Sequence, residues 1–443
     1  MKTIQKKSTL FLYAASGCGV NLLNLIVTSY LCDALMTQGF SKNIENWTYL
    51  NKTLVVAGIW SVLVLVAKIV DGLIDIPLAS LTDNLRSRFG RRRPSIVAGM
   101  IPMIAAYLLF LLPLTNGESL LNTVWFGFLL CLFYSAYTLV MVTYYATFSE
   151  IVDNEQDRLR LSNYKSTFDI IYFVVGYALI PLLVGNLNIR TIALICLPFV
   201  LTMLIPLFLI KEPSSLKKDQ PELAVEKQVG MIESLKYTFK NGHFWLWMGV
   251  YCALQFCLQL FLTAQNVYYS GTLLFVGWQI TVLTACVFAP VPFTLLLYNK
   301  IVHKFGFRVG YLYSIGTFIV AMCAMSLAAT LPQALRLPIA CLGALCASFG
   351  VGSFFSVGYV IPSALAHRDA VDKGVSHPAM YFAVQGLFSG VATAVAVGPV
   401  WINLKNAGLS FAMPYLVMAA AVASAILSLF LPASIDAIGK DRK

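Results

Sequence analysis

The sequence predicts an all-α integral membrane protein in which twelve transmembrane helices form two six-helix bundles. Composition points the same way, because 59% of the 443 residues are hydrophobic and only 12% are charged. Soluble domains carry about 25% charged residues, so an ordinary soluble protein is excluded. The formal charge of +11 does not indicate nucleic-acid binding, because the basic residues fall in alternate loops.

Stretches of about 20 apolar residues, the length that crosses a hydrocarbon core of roughly 30 Å, occur throughout the chain. The twelve windows lie near residues 8–31, 53–82, 94–114, 121–149, 164–186, 189–210, 243–270, 275–299, 309–330, 337–363, 378–402 and 409–432. If the N-terminus is cytoplasmic, 25 of the 31 Lys and Arg residues fall on the inner side. This asymmetry predicts a multi-pass plasma-membrane protein with both termini cytoplasmic.

The longest polar break divides the twelve windows into two sets of six. We expect an N-terminal bundle over residues 1–210, a cytoplasmic linker over 211–242 and a C-terminal bundle over 243–443. The loop after the second window reads RFGRRRP, and the loop after the eighth reads KFGFRVG. Such weak parallel repetition is typical of transporters whose halves are related by an axis along the membrane normal.

The second window carries three charges, Lys68, Asp71 and Asp75, at helical spacing of i, i+3 and i+7. Each charge costs about 2.5 to 3.5 kcal/mol near the bilayer centre, so a function is the first hypothesis. The two carboxylates are one turn apart and need a positive partner, which Lys68, a sodium ion or a proton can supply. The alternative is a structural Lys68–Asp71 salt bridge with a protonated Asp75 that has no role.

The cytoplasmic end of this window carries an acid followed by a basic loop. We expect a cytoplasmic gate in which acid and base pair in one state and separate in the other. Its candidate residues are Asp83, Gly90, Arg91, Arg92 and Arg93. The alternative is that the arginines only anchor the inner side of the membrane.

These charged residues resemble the signature of the glycoside-pentoside-hexuronide:cation symporter family, the melibiose permease family of the major facilitator superfamily. The matching positions are Asp71, Asp75, Asp83, Gly90, Arg91 and Pro94. The resemblance implies the major facilitator fold, cation-coupled sugar symport, and cation binding by the acidic pair beside Lys68. Ile74 stands where the family pattern has an asparagine of the cation site, which favours the proton over sodium. Asn21 and Met141 stand where the pattern has sugar-site acids, so the resemblance does not carry a galactoside substrate to this chain.

Polar and aromatic stripes in several windows offer contacts for a hydroxylated solute. The candidate substrate residues are Asn21, Asn24, Tyr137, Thr138, Tyr144, Tyr145, Lys165, Gln255, Gln259 and Gln385. The alternative for each is interhelical packing, because polar side chains also join helices inside membranes.

We therefore expect a secondary active transporter that moves a sugar, a glycoside or a similar hydroxylated solute with H⁺ or Na⁺ by alternating access. Its expected partners are the solute, the coupling cation and the lipid bilayer, with no nucleic acid, no cofactor and no metal beyond Na⁺ at Asp71 and Asp75. We expect a monomer. The chain has no nucleotide-binding G-x-x-x-x-G-K-[ST] pattern and no recognisable catalytic constellation, so it is not predicted to be an enzyme. The alternatives are a lysolipid or amphiphile transporter of the same fold and a transporter-like sensor without net flux.

Overall fold

The structure is a computed structural model that describes residues 7–85, 87–151, 155–210, 239–240, 242–373 and 378–431. Within these ranges some side chains, including that of Asp83, are not described. The described backbone is helical and contains no strand. In this part of the chain, twelve helices are long and apolar enough to cross a membrane. The predicted all-α, twelve-span, multi-pass architecture is therefore confirmed.

The chain packs as two units, Met1–Glu222 and Leu223–Lys443. In the first unit the membrane helices are α1 (Lys7–Ala34), α2 (Ala57–Asn84), α3 (Arg92–Phe110), α4 (Leu120–Glu150), α5 (from Glu155 to Val184) and α6 (Ile189–Leu209). In the second unit they are α7 (Gly242–Thr272), α8 (Gly277–Phe305), α9 (Phe307–Thr330), α10 (Gln333–Lys373), α11 (from Pro378 to Asn406) and α12 (Ser410–Leu429). The expected boundaries 1–210, 211–242 and 243–443 stay predictions, because residues 211–238 lie outside the described ranges.

Glycines with a left-handed backbone occupy equivalent places in the two units. Gly90 has φ of 86° between α2 and α3, and Gly306 has φ of 98° between α8 and α9. Residues with a β-carbon rarely adopt such angles, whereas glycine adopts them freely. The repeat of the two loop sequences therefore corresponds to a repeated backbone feature.

In the described part of the chain, segments of π-helix occur in four of the membrane helices, two in each unit. They are Val27–Leu31 in α1, Val175–Leu179 in α5, Tyr268–Thr272 in α7 and Ala396–Ile402 in α11. In each unit they fall in the first and fifth helices, so this feature repeats along with the topology. Such segments widen the helix by one residue and occur frequently at functional sites.

In the first unit the two π-segments are bonded to each other. The Tyr30 hydroxyl donates to the Gly176 carbonyl at 2.7 Å. The hydroxyls of Ser29 and Tyr177 lie 3.0 Å apart. The widened parts of α1 and α5 are thus joined by two buried hydrogen bonds.

Helices α1 and α6 approach closely at Gly19. A β-carbon at that position would lie 1.8 Å from the Phe199 carbonyl oxygen, which is far inside van der Waals contact. The Thr202 hydroxyl donates to the Ser16 carbonyl at 2.9 Å across the same contact. Small residues at such crossings let helix backbones pack closely in membranes.

Helix α2 has two faces of opposite character. Val62, Val66 and Leu73 form an exposed apolar stripe suited to lipid. Asp75, two residues after Leu73, is also exposed. Two residues turn a helix through about 200°, so Asp75 faces away from that stripe. Its exposure is therefore on the polar side of α2 and not on the lipid side.

Candidate functional site

Lys68 and Asp71 form the centre of a polar cluster between α2 and α4. The Lys68 ammonium lies 3.5 Å from Asp71 Oδ2. It also lies 3.7 Å from the centre of the Tyr134 ring. The Lys68 and Asp71 side chains are 12% and 23% exposed, so both charges are largely withdrawn from solvent. A cation over an aromatic face gains about 2 kcal/mol when the pair is desolvated, which stabilises Lys68 in this position.

The second carboxylate oxygen of Asp71 is bonded from α4. The Thr138 hydroxyl donates to Asp71 Oδ1 at 2.8 Å. The Tyr134 hydroxyl lies 3.1 Å from the Thr28 hydroxyl of α1. Tyr134 and Thr138 are four residues apart and share one face of α4. Both oxygens of Asp71 are thus engaged, one by Lys68 and one by Thr138.

Asp75 has neither the burial nor the hydrogen bonds of Asp71. It is exposed, and it has no hydrogen bond or ion pair with any residue that the structure describes. It lies one helical turn from Asp71 on the polar side of α2. One ammonium faces two carboxylates, so ionisation of both acids leaves one negative charge unbalanced. The carboxylate that is open to a small cation or a proton is that of Asp75.

The Lys68–Asp71 bridge that the structural alternative requires is present. The cation site at these three charges and the structural alternative both stay predictions.

A second ion pair lies on α5, beside residues of α1 and α4. The Lys165 ammonium pairs with the Asp169 carboxylate. The side chain of Asn21 on α1 lies beside the Asp169 carboxylate. The Tyr137 hydroxyl of α4 donates to Asn21 Oδ1 at 3.0 Å. These contacts join three of the predicted substrate residues through Asp169.

Tyr145 borders this second pair. The Lys165 ammonium lies 5.6 Å from the centre of its ring, and the Tyr145 side chain is 50% exposed. An exposed aromatic face beside a charge-balanced pair offers a stacking surface with polar groups at its edge. The arrangement can hold a ring that carries hydroxyl groups.

The two remaining predicted residues of the first unit, Tyr144 and Asn24, differ in their hydrogen bonds. Tyr144 is fully buried, and its hydroxyl donates to the Tyr13 carbonyl at 3.0 Å. The Tyr13 hydroxyl donates back to the Tyr144 carbonyl at 2.8 Å. These are the contacts of a packing residue, whereas Asn24 has a buried side-chain oxygen with no hydrogen-bond partner among the described residues.

In the second unit the predicted glutamines are engaged to different extents. The Gln385 oxygen accepts from the Trp247 indole at 2.7 Å, and its nitrogen donates to the Gly358 carbonyl at 2.8 Å. Gln255 donates to the Tyr251 hydroxyl at 2.7 Å. Gln259 is half-buried. The contacts of Gln385 are those of interhelical packing, and substrate binding by these three residues stays a prediction.

The predicted gate is described only in part. The Asp83 side chain lies outside the described residues, so its pairing stays a prediction. Gly90 provides the left-handed turn, and the Arg91 carbonyl accepts from the Ser95 hydroxyl at 2.8 Å at the start of α3. Arg92 is only 3% exposed. Arg93 is half-buried. A buried Arg92 is not a simple surface anchor.

Sequence reasoning placed Thr138 with the substrate, whereas the structure places its hydroxyl on Asp71. The contact of Tyr134 with Lys68 and the pairing of Lys165 with Asp169 were not predicted. The i, i+4 spacing of Tyr134 and Thr138, and of Lys165 and Asp169, was the available signal. Spacing alone does not show which neighbouring helix a face meets.

Comparison with protein families gives one match over nearly the whole chain. A family model described as MFS/sugar transport protein matches residues 12–435. An uncharacterized symporter of Synechocystis sp. is 32% identical over 111 residues, which is 24% of this chain. That match spans only 20% of the length of the curated relative.

Solved transporters share the fold. A bacterial homologue of the human lysosomal transporter Spinster, in an inward-facing and unoccupied conformation, has a TM-score of 0.64 at 13% identity, covering 97% of this chain and 98% of that one. The nucleoside transporter NupG has a TM-score of 0.63 at 15% identity, covering 97% and 99% of the two chains. At these identities the likeness shows the fold alone.

Proposed function

This chain belongs to the MFS/sugar transport protein family, and from that premise we propose that it is a cation-coupled symporter of an uncharged, hydroxylated solute such as a sugar or glycoside. It is a transporter of the major facilitator type and not an enzyme. The coupling ion is H⁺ or Na⁺, and transport proceeds by alternating access. The protein acts as a monomer in the plasma membrane with both termini cytoplasmic, without a cofactor.

The observation that carries the proposal is the unequal state of the two acids on α2. Asp71 is held by Lys68 and Thr138, whereas Asp75 is exposed on the polar face of the same helix. Excluding water from an uncompensated negative charge costs free energy. A cation or proton on Asp75 removes that penalty. The loaded protein can then close around its cargo, which makes the conformational change depend on cation occupancy.

Proton coupling agrees best with the ligands available. Two of the four carboxylate oxygens are engaged, Oδ2 of Asp71 by Lys68 and Oδ1 by Thr138. Ile74, between the two acids in sequence, contributes no side-chain oxygen. A sodium ion needs several oxygen ligands, whereas a proton needs one. We therefore favour H⁺ over Na⁺ as the coupling ion.

An uncharged solute agrees with the second polar cluster. The ammonium of Lys165 is balanced by Asp169, so neither a carboxylate nor an ammonium of the solute is needed to complete the pair. Asn21 and Tyr137 supply an amide and a hydroxyl, and Tyr145 supplies an exposed ring. Amides and tyrosines bind sugar hydroxyls without adding charge.

Reconstituted uptake tests the proposal. Proteoliposomes receive a mixture of D-glucose, D-xylose, methyl β-D-glucopyranoside, melibiose and D-glucuronate under an imposed proton gradient or sodium gradient, and mass spectrometry measures the internal content. We expect at least one uncharged sugar to accumulate with the proton gradient and accumulation to disappear in Asp75→Asn. Uptake that stays gradient-driven in both Asp71→Asn and Asp75→Asn contradicts the coupling. A lysolipid is offered in a separate assay. Its transport, with no accumulation of any sugar of the mixture, would support the amphiphile alternative.

A further inference from the structure

A cluster of buried polar atoms without partners lies in α7 of the second unit. Its members are Gln265, Asn266, Tyr269 and Ser270, each no more than 2% exposed. The Gln265 oxygen, both amide atoms of Asn266, and the hydroxyl oxygens of Tyr269 and Ser270 have no hydrogen-bond partner among the residues that the structure describes. All four residues are uncharged and fall within six positions of one helix.

Helical geometry brings these side chains together. Gln265 and Tyr269 are four residues apart, as are Asn266 and Ser270, so the four form two adjacent ridges on α7. The π-segment Tyr268–Thr272 begins within the cluster. The widening changes the turn on which Tyr269 and Ser270 lie, as π-segments at functional sites often do.

Burying these groups without partners works against folding. A buried donor or acceptor without a partner costs about 1 to 3 kcal/mol, and apolar side chains of similar shape would avoid this cost. The adjacent Tyr268 shows the ordinary arrangement, because its hydroxyl donates to the Met325 carbonyl at 2.9 Å. Buried polar groups are normally paired, so these atoms need an additional partner, and the hydroxyl groups of a bound solute can supply one.

A related arrangement occurs in the first unit. Asn24 precedes the π-segment of α1 by three residues, as Gln265 precedes that of α7. Both amide oxygens are buried and have no partner among the described residues. The third position of each π-segment is a serine, Ser29 or Ser270. Ser29 has the Tyr177 hydroxyl as its partner, whereas Ser270 has none within the described part of the chain.

We propose that Gln265, Asn266, Tyr269 and Ser270 form the solute-binding subsite of the second unit and hydrogen-bond vicinal hydroxyl groups of an uncharged solute. The inference rests on the proposed transport function and deepens it. An amide can donate to one hydroxyl and accept from its neighbour, and the tyrosine and serine hydroxyls can act in either sense. The cluster carries no positive charge for a carboxylate, so hexuronates are poor ligands at this subsite.

Two adjacent tyrosines provide a matched test. Tyr269→Phe removes a hydroxyl without a described partner, and Tyr268→Phe removes one that bonds the Met325 carbonyl. Each variant of the full-length protein is purified for thermal unfolding without ligand and reconstituted for uptake of the sugar mixture used above. Asn266→Leu, which replaces an unpaired amide by an apolar side chain of similar size, is measured alongside them.

We expect Tyr269→Phe and Asn266→Leu to unfold at or above the wild-type temperature, with KM for the transported sugar raised at least tenfold. Tyr268→Phe is expected to unfold at a lower temperature with KM within about twofold of wild type. Wild-type-like KM in both Tyr269→Phe and Asn266→Leu overturns the subsite, as does preferential transport of D-glucuronate. If the wild type accumulates none of the sugars, the proposed function itself fails, an outcome distinct from failure of the subsite.

Discussion

The Lys68 ammonium lies 3.7 Å above the centre of the Tyr134 ring while it pairs with Asp71 at 3.5 Å. The aromatic face holds the lysine beside one acid and leaves the other acid, Asp75, exposed. In the proposed transport cycle, Tyr134 keeps the Lys68 ammonium from competing with the coupling ion at Asp75. This relationship gives the first prediction.

Replacing Tyr134 by Leu should weaken cation binding. Without the ring, the Lys68 ammonium is freer to move towards Asp75 and to compete there with the coupling ion. We expect the ion concentration for half-maximal uptake to rise about tenfold, as expected for the loss of a desolvated cation–π contact. Tyr134→Phe keeps the ring and is the control. Equal ion dependence in Tyr134→Leu and wild type would exclude this role.

Thr138→Val should strengthen cation binding, in contrast to Tyr134→Leu. The variant keeps the shape of the side chain but removes the hydrogen bond to Asp71 Oδ1. A hydrogen bond to a charged acceptor contributes about 1.5 to 3 kcal/mol, so its loss leaves the charge of Asp71 less compensated and the acid pair should hold a proton at Asp75 about tenfold or more tightly. Half-maximal uptake should need less ion, and the maximal rate should fall because release slows. Thr138→Ser should behave as wild type, and a rise in the required ion concentration would contradict the assignment.

Substitutions at Tyr144 and Tyr137 should distinguish a packing residue from a solute-binding residue. Tyr144→Phe loses the hydrogen bond to the Tyr13 carbonyl, worth about 1 kcal/mol. A loss of that size lowers Tm by about 2 to 4 °C in a unit of this length. KM for the solute should not change. Tyr137→Phe loses the bond to Asn21 and should raise KM instead. The reverse pattern would show that Tyr144, and not Tyr137, contacts the solute.

Gly19→Ala should prevent the close approach of α1 and α6. The added β-carbon would lie 1.8 Å from the Phe199 carbonyl oxygen, so the two helices must separate. We expect a large drop in folded yield and in Tm. Gly58→Ala is the matched control, because a β-carbon there meets nothing within 4 Å. Alanine in that helix should be neutral or stabilise by up to about 1 kcal/mol.

Apolar length and loop charge were sufficient to predict the twelve helices, because the bilayer sets both quantities. Spacing along one helix also placed Lys68, Asp71 and Asp75 on a common face. Contacts between helices were harder to predict from sequence, because they depend on the rotation of each helix about its axis. Thr138 was therefore assigned to the solute although its hydroxyl bonds Asp71, and Gln385 was included although Trp247 and Gly358 occupy its amide.

The π-segments were not predicted from sequence at all. Their residue types share no common pattern, and their place in the first and fifth helices of each unit is visible only in the backbone. The polar cluster of α7 was not predicted from sequence either. Asn266 shares a helix face with the predicted Gln255 and Gln259, whereas the burial and missing partners of Tyr269 and Ser270 depend on packing.

The most direct test of the central claim is proton movement on addition of solute. Proteoliposomes that contain a pH-sensitive dye receive the transported sugar without an imposed gradient, and the internal pH is followed. Acidification of the interior in wild type and its absence in Asp75→Asn, with downhill sugar entry retained in the variant, is the result that we predict. Sugar entry without acidification in wild type, or equal acidification in wild type and Asp75→Asn, would contradict proton coupling through Asp75.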